Sequence, residues 1–171
     1  MRGERMKTKR WRWRWIVLGV FIVATLGVVL SHFYLNLQGK HWDEKRVAVE
    51  KAFAGSMMTE ATNVDFFYGD EPVQIVYGEN KLNQPMIVWI SEGGVHAEMT
   101  SEGFTKEQAR IAVLKKAPNA SIERIMPGKL GGEYVWEVFY KQKENDHTRY
   151  YYDYYKFKDG TFLDTFRLSL Q

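Results

Sequence analysis

Glu137 and Asp153 are the two residues whose type and spacing come nearest to a catalytic pair. Retaining glycoside hydrolysis needs two carboxyl groups about 5–5.5 Å apart in a cleft. Glu137 lies in "EYVWEVFYK" and Asp153 in "TRYYYDYYKFK", so a hairpin of the two segments would bring them together if its register places them opposite. No cleft is evident around them, and such a pair is commonly a solvated face. The other candidates are thinner. His41, His96 and His147 lie far apart in sequence, and none belongs to an H-x-x-x-H pattern that would suit a metal. His32 sits in an apolar run with no partner for a proton relay. A serine nucleophile in a G-x-S-x-G frame is absent. "SEGG" at 91–94 lacks the frame of a phosphate loop. Cysteine is absent, which excludes disulfides, thiolate metal sites and a thiol nucleophile. Asn119-Ala120-Ser121 matches a glycosylation acceptor, of consequence only in a eukaryotic secretory route. The expectation is a protein with no catalytic residue, no metal and no cofactor.

The elements that carry these residues read as two copies of one small unit with a period of about 60 residues. The first, residues 41–103, opens with "HWDEKRVAVEKAFAGS". Its Trp42, Val49, Ala52 and Phe53 fall on one face of a helix. Extended runs "NVDFFY", "PVQIVYG", "QPMIVWI" and "GVHAEM" follow, separated by turn residues. The second, residues 104–171, opens with "TKEQARIAVLKKAP". Thr105 and Gln108 have capping-box spacing, and Pro118 ends the helix. "ASIERIM", "EYVWEVFYK", "TRYYYDYYKFK" and "TFLDTFRL" complete it, with turns at "PGKLGG", "QKENDH" and "KDG". Each unit is therefore an α+β layer in which one helix covers one face of an antiparallel meander. Units this small are marginal alone, so the two are expected to pack into one compact tandem.

Five tyrosines crowd into residues 150–155. Alternation puts Tyr151, Asp153 and Tyr155 on one strand face and Tyr150, Tyr152 and Tyr154 on the other. An unpaired carboxylate is costly to bury, so Glu137 and Asp153 are expected to avoid the helix-covered side. On that reasoning Trp136, Val138, Tyr152 and Tyr154 pack beneath the helix. Glu137, Phe139, Tyr151, Asp153 and Tyr155 then form an outer, partner-binding face. Cross-strand aromatic pairing within a sheet is the plainer reading of the same residues. Charge substitutions at Tyr151 and Tyr155 separate the two, since loss of folding would mark that face as core.

Charge is unevenly spread. Seven of the 24 basic residues lie in the first 14 positions, opposed only by Glu4. Setting these aside leaves 17 basic against 20 acidic residues, a net of −3, so the basic balance belongs to an arm and gives no footprint for nucleic acid. Directly after the arm, "WIVLGVFIVATLGVVLSHFYL" (15–35) has no charged residue. As a helix it spans about 31 Å, close to a bilayer's hydrocarbon core. It is longer than a cleaved signal's apolar region and no A-x-A-like site follows, which favours an uncleaved signal anchor over a signal peptide or a core helix. The flanking cations keep the N-terminus cytoplasmic and put the C-terminal part outside, with Trp11, Trp13 and Trp15 at headgroup level. The expected organisation is a basic arm (1–14), an anchor in lipid (15–35), a short linker (36–40) and the two units.

This order resembles the YpmB/TseB-like membrane proteins of bacilli and their relatives. The likeness also rests on "YGDEPVQIVYGENKLNQPMIVWI" and on "YVWEVFYKQ" with "YYYDYYKFKDGTFLDTFRLS". The resemblance implies tandem PepSY-like (cystatin-like) domains and a non-enzymatic, extracytoplasmic role in regulating cell-wall elongation. The implied partner is a class B penicillin-binding protein. A peptidase inhibitor or sensor is the alternative, because PepSY-like units look like the propeptide modules of secreted metallopeptidases.

Overall fold

The computed structural model describes the backbone of residues 4–145 and 147–168, and the side chains within that range except those of 4–14, 16 and 34–41. The chain divides into two compact units, Met1–Lys45 and Arg46–Gln171. Helix α1 (Glu4–Gly55) supplies the first and runs into the second. The basic arm, Trp11, Trp13, the linker side chains and His41 lie outside the described side chains. Within the apolar run, the large side chains from Val17 to Phe33 are exposed. Ile16, Tyr34 and Leu35 fall outside the described side chains, and among the described residues no helix is long and apolar enough to cross a membrane.

The second unit holds two four-stranded antiparallel meanders. β1 (Met58–Tyr68), β2 (Pro72–Asn80), β3 (Pro85–Ser91) and β4 (Gly94–Met99) pair in chain order. So do β5 (Ser121–Leu130), β6 (Glu133–Glu144), β7 (His147–Lys156) and β8 (Phe162–Leu168). Helix α2 (Lys106–Lys116) joins the sheets. Its capping box is complete: Gln108 N–H donates to Thr105 Oγ1 at 3.2 Å and Thr105 N–H to Gln108 Oε1 at 2.7 Å.

The unbroken apolar run Met86–Ile90 is buried along its length because the first sheet is covered on both faces. Register partners share a face, so Val64, Val76 and Val88 line up on one side. There they meet Ala48 and Ala52 of α1. These alanines carry the helix contact, whereas Trp42 and Phe53 of the expected apolar face are exposed. Small side chains let the helix sit close to the sheet. On the other side Phe67, Val73, Ile75 and Trp89 join the core shared with the second sheet and α2.

Turn tips lock the two sheets. The Phe67 ring lies over Gly128, where an added Cβ would approach it to 2.5 Å. Beside it Lys129 Nζ pairs with Glu71, and Gly131 N–H donates to Asp70 Oδ2. Gly131 has φ +57°, a conformation open to glycine at low cost.

Candidate functional site

The register of β6 and β7 decides which tyrosines a partner can reach. Glu144 pairs with His147, leaving Asn145 and Asp146 between them, and Asn145 has φ +47°. That two-residue connection puts Trp136 opposite Tyr155, Val138 opposite Asp153 and Tyr140 opposite Tyr151. Glu137 is opposite Tyr154, Phe139 opposite Tyr152 and Lys141 opposite Tyr150.

The expected faces are therefore corrected. Glu137, Phe139, Tyr151, Asp153 and Tyr155 do not share an outer face. Tyr151, Asp153 and Tyr155 lie on the α2 side with Trp136 and Val138, and all three are buried. Glu137 and Phe139 lie on the opposite side with Tyr152 and Tyr154, which do not pack under α2. Glu137 and Asp153 are separated by the sheet, so they cannot flank one bond as a glycosidase pair.

Both carboxylates are buried because neither is unpaired. Asp153 is fully buried. Lys116 Nζ, from the last turn of α2, donates to its two oxygens at 2.9 and 3.1 Å. Thr165 Oγ1 donates to it at 2.7 Å, and the hydroxyls of Tyr140 and Tyr155 lie at 3.3 Å. Lys116 also sits 4.7 Å above the Phe162 ring. On the other face, Glu137 accepts from Arg124 Nη2 at 2.7 Å and from the Tyr154 hydroxyl at 2.9 Å. Burial, reinforced by the adjacent carboxylate charge, pushes the Tyr140, Tyr154 and Tyr155 hydroxyls well above the usual phenol range. These phenols stay protonated and donate to the two carboxylates. Among the described residues no group of three or more His, Asp or Glu side chains is placed to hold a metal.

The face away from α2 is the candidate interaction site. Phe139, Tyr150 and Tyr152 are half-buried there, and Phe166 is 49% exposed. Phe139 stacks on Tyr152 at 4.6 Å and on Tyr150 at 5.8 Å, and Tyr154 meets Phe166 edge-on at 5.7 Å. Rings stacked across strands stand on edge and present their rims outward. Such a rim suits a protein surface better than a flat sugar ring, which needs an open aromatic face. The patch is bordered by two ion pairs, Lys141–Glu123 and Arg124–Glu137. Sequence reasoning put Tyr150 and Tyr152 on the face expected to pack under the helix and did not single out Phe166. The Asn145-Asp146 pair, read as the turn in place of the longer "QKENDH", would have fixed the register and exposed them.

A second apolar surface is a groove of about 500 Å³ lined by Phe53, Met57, Met58 and Leu82. The Asn80 side chain beside it is spent on its own turn, accepting from Leu82 N–H and Gln84 N–H. Ser56, Thr59 and Lys81 complete its lining, and the Ser56 and Thr59 hydroxyls donate to the backbone carbonyls of Ala52 and Glu79.

Residues 47–91 match the model of a cell wall elongation regulator TseB-like domain. The chain is 20% identical over 142 residues to a probable cell wall elongation regulator TseB of Bacillus subtilis (strain 168), covering 81% of this chain and 88% of the relative. Among solved structures, the YpmB protein from Bacillus subtilis superposes with a TM-score of 0.63 at 22% identity, covering 72% of this chain and 96% of that one. At that identity the structural likeness is one of fold.

Proposed function

The chain is YpmB/TseB-like, and from that premise we propose that it regulates cell-wall elongation as a membrane-anchored, extracytoplasmic protein acting by contact. The carrying observation is the aromatic end of the second sheet's face away from α2, where Phe139, Tyr150 and Tyr152 are partly exposed while Val135, Glu137 and Tyr154 of the same face are buried. Phe139, Tyr150 and Tyr152 supply apolar area and hydroxyls on side chains with few rotors, a composition suited to binding protein. The apolar residues 17–33 of α1, exposed and free of charge, suit burial in lipid. An anchor confines the folded part near other anchored proteins and raises their effective concentration, so a modest affinity suffices. The partner that best fits this reading is a class B penicillin-binding protein, itself held at the same membrane.

The test is a photo-crosslinking residue in place of Tyr150 in the full chain, in living cells, with mass spectrometry of the captured protein. Capture of a membrane-anchored transpeptidase, lost when Phe139→Glu is added, supports the proposal. Capture of a secreted peptidase instead replaces it with peptidase inhibition, and capture of neither overturns contact through this face.

A further inference from the structure

β8 is the outer strand of the second sheet, and its far side has no strand partner among the described residues. Proteins blunt such edges with lysine, proline, bulges or short length. The other edges follow that rule. β5 has Glu123, Arg124 and Pro127, β1 has two bulges with Glu60 and Asp65, and β4 is short with His96 and Glu98. β8 shares these devices in part, with Asp164, Arg167 and a register shift beside Phe162, but residues 164–168 pair without a bulge and expose Phe166 (49%) and Leu168 (37%).

We propose that two copies of the chain pair antiparallel through β8, centred on Phe166, to make one eight-stranded sheet. The argument is self-complementarity. Phe139, Tyr152 and Phe166 are register partners in a single row across β6, β7 and β8. That aromatic row ends at the open edge. A two-fold axis perpendicular to the sheet at Phe166 sets this ring against its own copy, so the row continues without interruption into the second molecule. The same operation puts Asp164 opposite Leu168 and Thr165 opposite Arg167. No like charges oppose one another directly. Paired positions keep the same parity, so each outer face stays outer, as a continuous antiparallel sheet requires. Because the contact is isologous, it closes at two copies.

The absence of native cysteine makes the test clean. Phe166→Cys in the full chain in detergent should give disulfide-linked dimers at least roughly tenfold faster than Leu82→Cys, which is more exposed but lies in the β2–β3 turn of the other sheet. Thr165→Cys mixed with Arg167→Cys should cross-link as a heterologous pair. Phe166→Glu should remove the dimer in light scattering while leaving the far-ultraviolet circular dichroism of the folded chain unchanged. Equal rates for Phe166→Cys and Leu82→Cys, or a dimer that survives Phe166→Glu, overturns the proposal. So does preferential cross-linking of Phe166→Cys to a different protein in cell membranes, which would make the edge a foreign strand's docking site.

Discussion

Val138 and Asp153 face each other directly across the β6–β7 ladder, and both point into the core beneath α2. A methyl-rich side chain and a fully buried carboxylate share one layer because Lys116 reaches down from the last turn of α2 to meet the charge. Burial of the acid and closure of the helix onto the sheet are thus one event. Asp153 also gathers the hydroxyls of Tyr140, Tyr155 and Thr165, so its oxygens are satisfied by groups from four elements.

Removing the cation should therefore cost far more than an ordinary surface pair. Lys116→Met leaves a buried charge uncompensated and should lower stability by about 3 kcal/mol in urea denaturation. Adding Asp153→Asn should recover part of that loss. Lys156→Met, which breaks the exposed pair with Glu133, should cost under about 1 kcal/mol. Equal effects of the two lysine changes would show that Asp153 does not depend on Lys116.

The contact of Phe67 with Gly128 joins β1 to β5 across the two sheets, and it makes a second prediction. Gly128→Ala places a methyl group 2.5 Å from a ring that is itself buried in the shared core. The expected cost is about 1–3 kcal/mol. Phe67→Leu alone is destabilising through lost packing, but in combination with Gly128→Ala the two costs should be less than additive by about 0.5 kcal/mol or more. Simple additivity in a double-mutant cycle would mean the sheets are not locked at this point.

The eight strands and α2 were legible because each has a local signature: extended apolar runs, the Thr105–Gln108 box, Pro118 and glycine turns, whereas α1 was read as an apolar span and a second helix parted by a linker at 36–40 and is one unbroken helix. The faces of β6 and β7 were not. Alternation fixes which residues of one strand share a side, but only register relates two strands, and a shift of one residue moves every side chain. The carboxylate argument chose wrongly because Lys116 and Arg124, the cations that permit burial, come from α2 and β5 and are remote in sequence. Likewise "PGKLGG" looked like a turn throughout, yet Pro127–Leu130 continue β5 and only Gly131 and Gly132 turn. The aromatic outer face was foreseen as a kind of surface but with Tyr151 and Tyr155 where Tyr150 and Tyr152 belong.

Membrane topology makes a third prediction. Leu82 is 76% exposed at the β2–β3 turn, so a single cysteine there is accessible without disturbing the core. Leu82→Cys in the full chain should react with a membrane-impermeant maleimide in intact cells and stay with the membrane fraction. Labelling only after lysis, or recovery of the labelled chain in the medium, would overturn the anchored extracytoplasmic reading.

The buried phenols set an alkaline limit on the fold. Tyr77, Tyr140, Tyr154 and Tyr155 all have hydroxyls raised above the ordinary value near 10. Burial is the first cause in each, followed by the charge of Asp65, Asp153 or Glu137. A raised folded-state pKa means the native protein holds its proton more tightly than the unfolded chain. The stability this gives is fully present below about pH 10 and is lost as pH rises above it. The melting temperature should be flat from about pH 8 to pH 9.5 and then fall steeply, with the phenolate absorbance of these four appearing only as the protein unfolds. Tyr154→Phe removes one such group from the Glu137 side and should make the alkaline fall shallower, while leaving Glu137 with only Arg124 lowers stability at neutral pH. If Tyr77, Tyr140, Tyr154 and Tyr155 ionise near pH 10 while the protein is still folded, the phenols are not held by burial and the carboxylates as the geometry requires.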